Sequence, residues 1–189
     1  MMKEKKDLRI QKTYKLLAEA LIKLLQEKPF AEIRLNEICE EALVHKTTFY
    51  HHFTDKYDLL KYTITLIQKE IMTKLDTSSD TNLLDYYCNL AKIYMSNIKK
   101  NQQFYRSILS SEGNTICTDL LYDMFVEDVE KRLGQVEIPI FFVSSYYVSG
   151  VFAVINEWFR RGMKEEEDVV IEYLKKMITN HNFIPQLEK

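Results

Sequence analysis

The segment His45–Lys56, HKTTFYHHFTDK, gathers three of the chain's four histidines with three threonines, a tyrosine and two lysines. Side chains of these types ligate metals, shuttle protons, or hydrogen-bond to bases and phosphates. The spacing argues against a metal. His51 and His52 are adjacent, so on a helix they point about 100° apart and do not clasp one ion. No CxxC or HxxxH pair exists elsewhere in the chain. Catalysis is disfavoured too: there is no Ser-His-Asp candidate, no glycine-rich phosphate loop and no paired acids in a recognisable frame. A face without carboxylates remains. If Phe49 and Phe53, four apart, turn to a core, His45, Lys46, Thr47, Tyr50 and His51 are left outward. Donors and acceptors of that reach suit the edges of bases and a phosphate backbone.

Such a face needs elements to hold it. Residues 8–27 carry Ile10, Leu17, Leu21 and Leu25 beside Leu16, Ala20 and Leu24, an amphipathic helical stripe that ends before Pro29. FAEIR is a short connector. Residues 35–42 form a second, short helix with Leu35, Ile38, Cys39 and Ala42 on one face, LVHK interrupts, and residues 46–53 make two further turns. Asp55 is placed to cap a long helix running to about residue 75. Two short helices joined by a tight turn between longer ones make a helix-turn-helix, whose second short helix enters the major groove.

FAEIRLNEICEEALVHKTTFYHHFTDKYDLL resembles the DNA-binding signature of the TetR family of bacterial transcription regulators. Ile38, Cys39 and Ala42 match the bracing helix. Thr48, Phe49, Tyr50, His52 and Phe53 match the recognition helix, and Asp55, Lys56, Leu59 and Leu60 the helix after it. The resemblance implies that Lys46 and Thr47 reach bases, that Thr48, Tyr50, His52 and Lys56 hold phosphates, and that His45 and His51 do either. The chain departs from the pattern at Leu43, which stands in place of the usual turn glycine, and at Arg34, in place of the usual capping threonine. If position 43 keeps the left-handed region, Leu there carries a strain of about 1 kcal/mol; the alternative is a turn of a different shape.

Four glycines and three prolines in 189 residues speak for long helices, and a 46% hydrophobic content allows a packed core. Cys39, Cys88 and Cys117 are odd in number and far apart, as free thiols in a reducing compartment would be. The start, MMKEKKDLRIQK, lacks the apolar core of a signal peptide, and no uninterrupted apolar run reaches the roughly 18 residues of a membrane span. A cytoplasmic protein without membrane contact is expected. Lys3, Lys5, Lys6, Arg9 and Lys12 gather at the extreme N-terminus, a charge run that is usually a solvated tail and matters for DNA only if the adjacent fold presents it to a phosphate backbone.

Beyond DTSSDTN, read as a linker, helices are expected near 82–100, 102–110, 114–133, 139–161 and 165–180, with a loose tail. The whole is an all-α chain of about nine helices. A DNA-binding domain over 1–62 is joined by helix 56–75 to a regulatory and dimerisation domain over 76–189. By the resemblance, the last two helices form the dimer interface. Residues 139–159 are apolar nearly all round and must be buried on most sides. Val143, Tyr147, Val151, Val154, Ile155 and Trp158, continued by Val170, Tyr173, Leu174 and Met177, are the expected interface residues. Tyr87, Tyr94, Phe104, Tyr105, Tyr122 and Phe125 are aromatic enough to line a pocket for a small apolar or aromatic effector, or to be ordinary core. No cofactor is called for. The expected function is sequence-specific regulation of transcription: a homodimer on a palindromic double-stranded operator, a repressor released by an effector. The alternatives are an activator of the same fold, or a helical small-molecule binder with a vestigial helix-turn-helix.

Overall fold

In the computed structural model, residues 2–75, 82–109, 113–134 and 137–179 are described, and every regular element among them is helical. The expected linker, apart from Asn82, and the loose tail lie outside the described residues. The chain forms two compact units: residues 1–69 with 101–120, and residues 70–100 with 121–189.

In the first unit, α1 (Met2–Leu25) lays Leu17, Leu21, Leu24 and Leu25 into the core. The FAEIR connector folds as a 3-10 turn over Phe30–Glu32, with Phe30 and Ile33 buried. It leads into α2 (Leu35–Glu41), whose Ile38 and Cys39 face inward. The Glu37 carboxylate accepts the backbone N–H of Arg34 at 2.8 Å and pairs with Lys28, so the start of α2 is satisfied without the usual threonine. The ammonium of Lys28 is the larger reason that Glu37 ionises below the ordinary glutamate range, and the Arg34 N–H is the second.

After the turn comes α3 (Lys46–Tyr50), then α4 (Lys56–Thr73). Asp55 caps α4: its Oδ1 accepts the N–H groups of Tyr57 and Asp58 at 2.8 Å each, and Asp58 returns by accepting the Thr54 N–H at 3.1 Å. The first unit also takes in α6 (Gln102–Leu109) and the start of α7 (Gly113–Arg132). Gly113 lies where a Cβ would stand 3.3 Å from Leu60 and Phe30, so the chain re-enters the core at a point that suits glycine. A boundary at 62 therefore does not enclose this unit, because residues 101–120 complete its core.

The second unit packs α5 (Leu83–Lys100) against α8 (Ile140–Arg160) and α9 (Glu167–Thr179). Asn82 caps α5 by accepting the Asp85 N–H. Met95, Cys88, Ile155, Trp158, Val170, Ile171 and Leu174 share one cluster. Gly162, in the left-handed region at φ +84°, ends α8, as its position just past the last turn predicts. The Trp158 indole N–H donates to the Glu165 carbonyl at 2.9 Å and closes that corner.

Candidate nucleic-acid interface

Phe49 and Phe53 are buried with ring centres 5.6 Å apart, as their spacing predicts. The helix between them is shorter than expected. It ends at Tyr50, and residues 51–52 form a turn. Lys46, Thr47, Tyr50 and His51 are exposed on the outer side, Tyr50 to 60%, and His45 is exposed beside them at the start of the helix. Thr48 is half-buried.

His52 and Lys56 stand apart from this group. His52 is half-buried, its ring set edge-on to Tyr14 of α1 at 5.1 Å, and Tyr14 also touches Phe53 and Tyr62. Lys56 points into the fold: its ammonium donates to the carbonyls of Phe30, Ala31 and Ile33. No sequence signal distinguishes a lysine turned toward backbone carbonyls from one that reaches outward.

Leu43 sits in the turn at φ +54° and is 93% exposed. The left-handed backbone anticipated for a glycine is therefore kept, and leucine occupies it without any packing in return. The turn is held by the N–H groups of Leu43 and Val44, which donate to the carbonyls of Glu40 and Cys39.

Two family models match this sequence. One, described as bacterial regulatory proteins of the tetR family, matches residues 17–63, and the other, a transcriptional regulator C-terminal region, matches residues 89–180. The chain belongs to the TetR family of bacterial transcription regulators. A curated relative, the HTH-type dhaKLM operon transcriptional activator DhaS of Lactococcus lactis, is 24% identical over 164 residues, 82% of this chain and 83% of that one. A TetR transcriptional regulator from Streptococcus agalactiae superposes with a TM-score of 0.62 at 22% identity, covering 92% of this chain and 97% of that one. NalD, the secondary repressor of the MexAB-OprM multidrug efflux pump in Pseudomonas aeruginosa, does so with 0.62 at 17% identity, covering 89% and 96%. The last two likenesses establish the shared fold.

The second unit of this TetR-family chain carries a different exposed face. Of the ten residues expected at an interface, Ile155, Trp158, Val170 and Leu174 are buried in the unit's own core, and Val151, Val154 and Met177 pack against it. Val143 and Tyr147 are half-buried and Tyr173 is exposed. The outward stripe is instead Phe142, Tyr146, Ser149 and Ala153, with Phe141 and Ile138 beside it and Val169 and Tyr173 on α9. The inward stripe, Ser144, Val148, Val151 and Ile155, has the same spacing two residues out of step, which puts the two about 200° apart on the helix. Each mixes large apolar residues with small ones and carries no charge, so periodicity could not tell which faced out. Among the described helices, α8 alone is long and apolar enough to cross a membrane by length and composition. Its Ser144 hydroxyl donates to Glu130 of α7, and Ile155 and Trp158 belong to the core cluster.

The six aromatics expected around an effector are divided between the two units. Phe104 and Tyr105 belong to the first unit. In the second, Tyr94 stacks edge-on with Phe125 at 5.3 Å, and Phe125 with Phe152 at 5.5 Å. Tyr87 donates its hydroxyl to Asp128 at 2.9 Å, and burial, ahead of that carboxylate, pushes its ionisation well upward. Tyr122 is half-buried. A groove of about 490 Å³ lies elsewhere in this unit, between Ile71, Lys74 and Leu75 and the side of α5 that carries Ile93, Asn97 and Lys100.

Proposed function

We propose that this protein binds a palindromic operator as a homodimer and represses the gene it covers until a small molecule releases it. The observation that carries the reading is the exposed, carboxylate-free face of α3. Lys46 and Thr47, at the start of the recognition helix, read base edges, while Thr48, Tyr50 and the exposed histidines His45 and His51 hold the phosphates. One helix of this length touches few base pairs, and a two-fold axis doubles the contact.

The axis is supplied by α8 and α9. An exposed stripe with Phe142 at 62% and Tyr146 at 72% is costly in water and is covered when two copies pack. The small residues Ser149, Gly150 and Ala153 let a partner helix come close, and nothing lies within 4 Å of where a Cβ on Gly150 would be. The effector enters the second unit. α4 links the two units as one uninterrupted helix, so a small tilt set by a ligand reaches the recognition helix, with a coupling of about 1–3 kcal/mol. The protein works in the cytoplasm, where its DNA is.

An activator reading is favoured by one finding, that the Lactococcus lactis relative is a transcriptional activator. Selection of bound duplexes from a random pool by the purified protein tests the core of the proposal. A palindromic consensus is the expected result, and no enrichment overturns it. A reporter carrying that consensus across or upstream of a promoter then separates repression from activation.

A further inference from the structure

Lys56 is a residue of the DNA-binding unit that the family pattern sends to a phosphate. Its surroundings point elsewhere. The ammonium has three protons, and three backbone carbonyls receive it: Phe30 at 3.0 Å, Ala31 at 3.2 Å and Ile33 at 2.9 Å. It also stands 4.7 Å from the ring centre of Phe30 and 5.5 Å from that of Tyr57. Hydrogen bonds from a charged donor are the stronger kind, and the ring faces add to the attraction. A phosphate would have to draw this cation out of a cup that already satisfies it.

The cup's position in the chain gives it a purpose. The three carbonyls lie in the connector that leads into α2, and Lys56 is the first residue of α4. Between them lie the bracing helix, the strained turn and the recognition helix. We propose that Lys56 is a positioning residue that fastens the two ends of the helix-turn-helix together and so fixes the pitch at which α3 meets DNA. The proposal rests on the DNA-binding reading above. Base readout needs α3 held to a fraction of an ångström, whereas attraction to phosphates tolerates a loose helix. Loss of the clamp therefore lowers discrimination and leaves general attraction to DNA in place.

The test uses the full-length protein and its Lys56→Met variant, on the selected consensus and on random duplex, at several salt concentrations and a temperature where both are folded. The variant is expected to lose about tenfold or more in the ratio of specific to non-specific affinity. Its non-specific affinity and salt slope should match wild type, and amide exchange at residues 33–37 should quicken. A fall in salt slope by about 0.9, the value for one lost phosphate contact, with affinity reduced alike on both duplexes, overturns the proposal. If Lys56→Met does not fold, the wild-type Lys56 ammonium signal followed by nitrogen NMR through a DNA titration decides. It stays in place for a clamp and shifts for a phosphate contact. A wild type with no preference for any duplex removes the DNA reading itself, a result distinct from either outcome.

Discussion

The outer faces of α3 and α8 are both exposed, and their chemistry differs. Around α3 the outward residues are His45, Lys46, Thr47, Tyr50 and His51, each with a polar tip. Along α8 they are Phe142, Tyr146, Ser149 and Ala153, two large rings followed by two small residues. Water tolerates the first face indefinitely, since its groups are hydrated until a nucleic acid replaces that water. It opposes the second, whose apolar area, concentrated in the rings, is stabilised only when covered. Exposure alone therefore says little. Under the function proposed above, the chemistry of what is exposed separates a surface for an intermittent, charged partner from one for a lasting, apolar partner.

The strongest way to break this contrast is to place a charge on the α8 stripe. Tyr146→Glu should yield a monomer in sedimentation and drop operator affinity to the non-specific level, a loss of about 10³-fold or more. A dimer that persists would mean the stripe is not the covering face. Moving to the opposite side of the same helix changes the outcome in kind. Trp158→Ala removes a ring from the core and the Glu165 contact, and should cost about 3–5 kcal/mol in denaturant unfolding, with destabilisation rather than clean monomers as the readout. On α3, Thr47→Ala should weaken consensus binding by about 1–3 kcal/mol and leave random DNA nearly unaffected. Equal losses on both duplexes would remove Thr47 from base readout.

Smaller effects sharpen the picture inside the first unit. Leu43→Gly should raise the unfolding free energy by about 1 kcal/mol, because the left-handed backbone is kept and the strain is relieved. An unchanged or lower stability would show that Leu43 gains something from its place. The least effect concerns acid. Glu37 ionises below its ordinary range, so its contribution is full above the unfolded value of about 4.3 and disappears as pH falls through the lower, folded value. The stability difference between wild type and Glu37→Gln should therefore narrow as pH is taken from neutral down through the ordinary glutamate range.

The recognition signature, the Asp55 cap and the all-helical course were legible in the sequence, because each is a local matter of residue type and spacing. The shape of the turn at Leu43 is open there and is decided by its φ of +54°. Two further features were not legible. Which side of α8 faces out depends on which neighbours cover the other, and two uncharged stripes at one spacing leave that choice to tertiary packing. The direction of Lys56 depends on carbonyls 23 to 26 positions away, which no motif around it encodes.

The first unit is discontinuous, and this bears on how the protein is made. Residues 101–120 are part of it, so Phe104 and Ile108 join its core only after α5 has been synthesised. At roughly 5–20 residues per second, the interval between residues 69 and 120 lasts roughly 3–10 s. During that time the nascent DNA-binding unit lacks α6 and presents its unfilled core to the cell. A ribosome pause between those positions lengthens the exposure, and chaperone capture is expected to concentrate on chains stalled there.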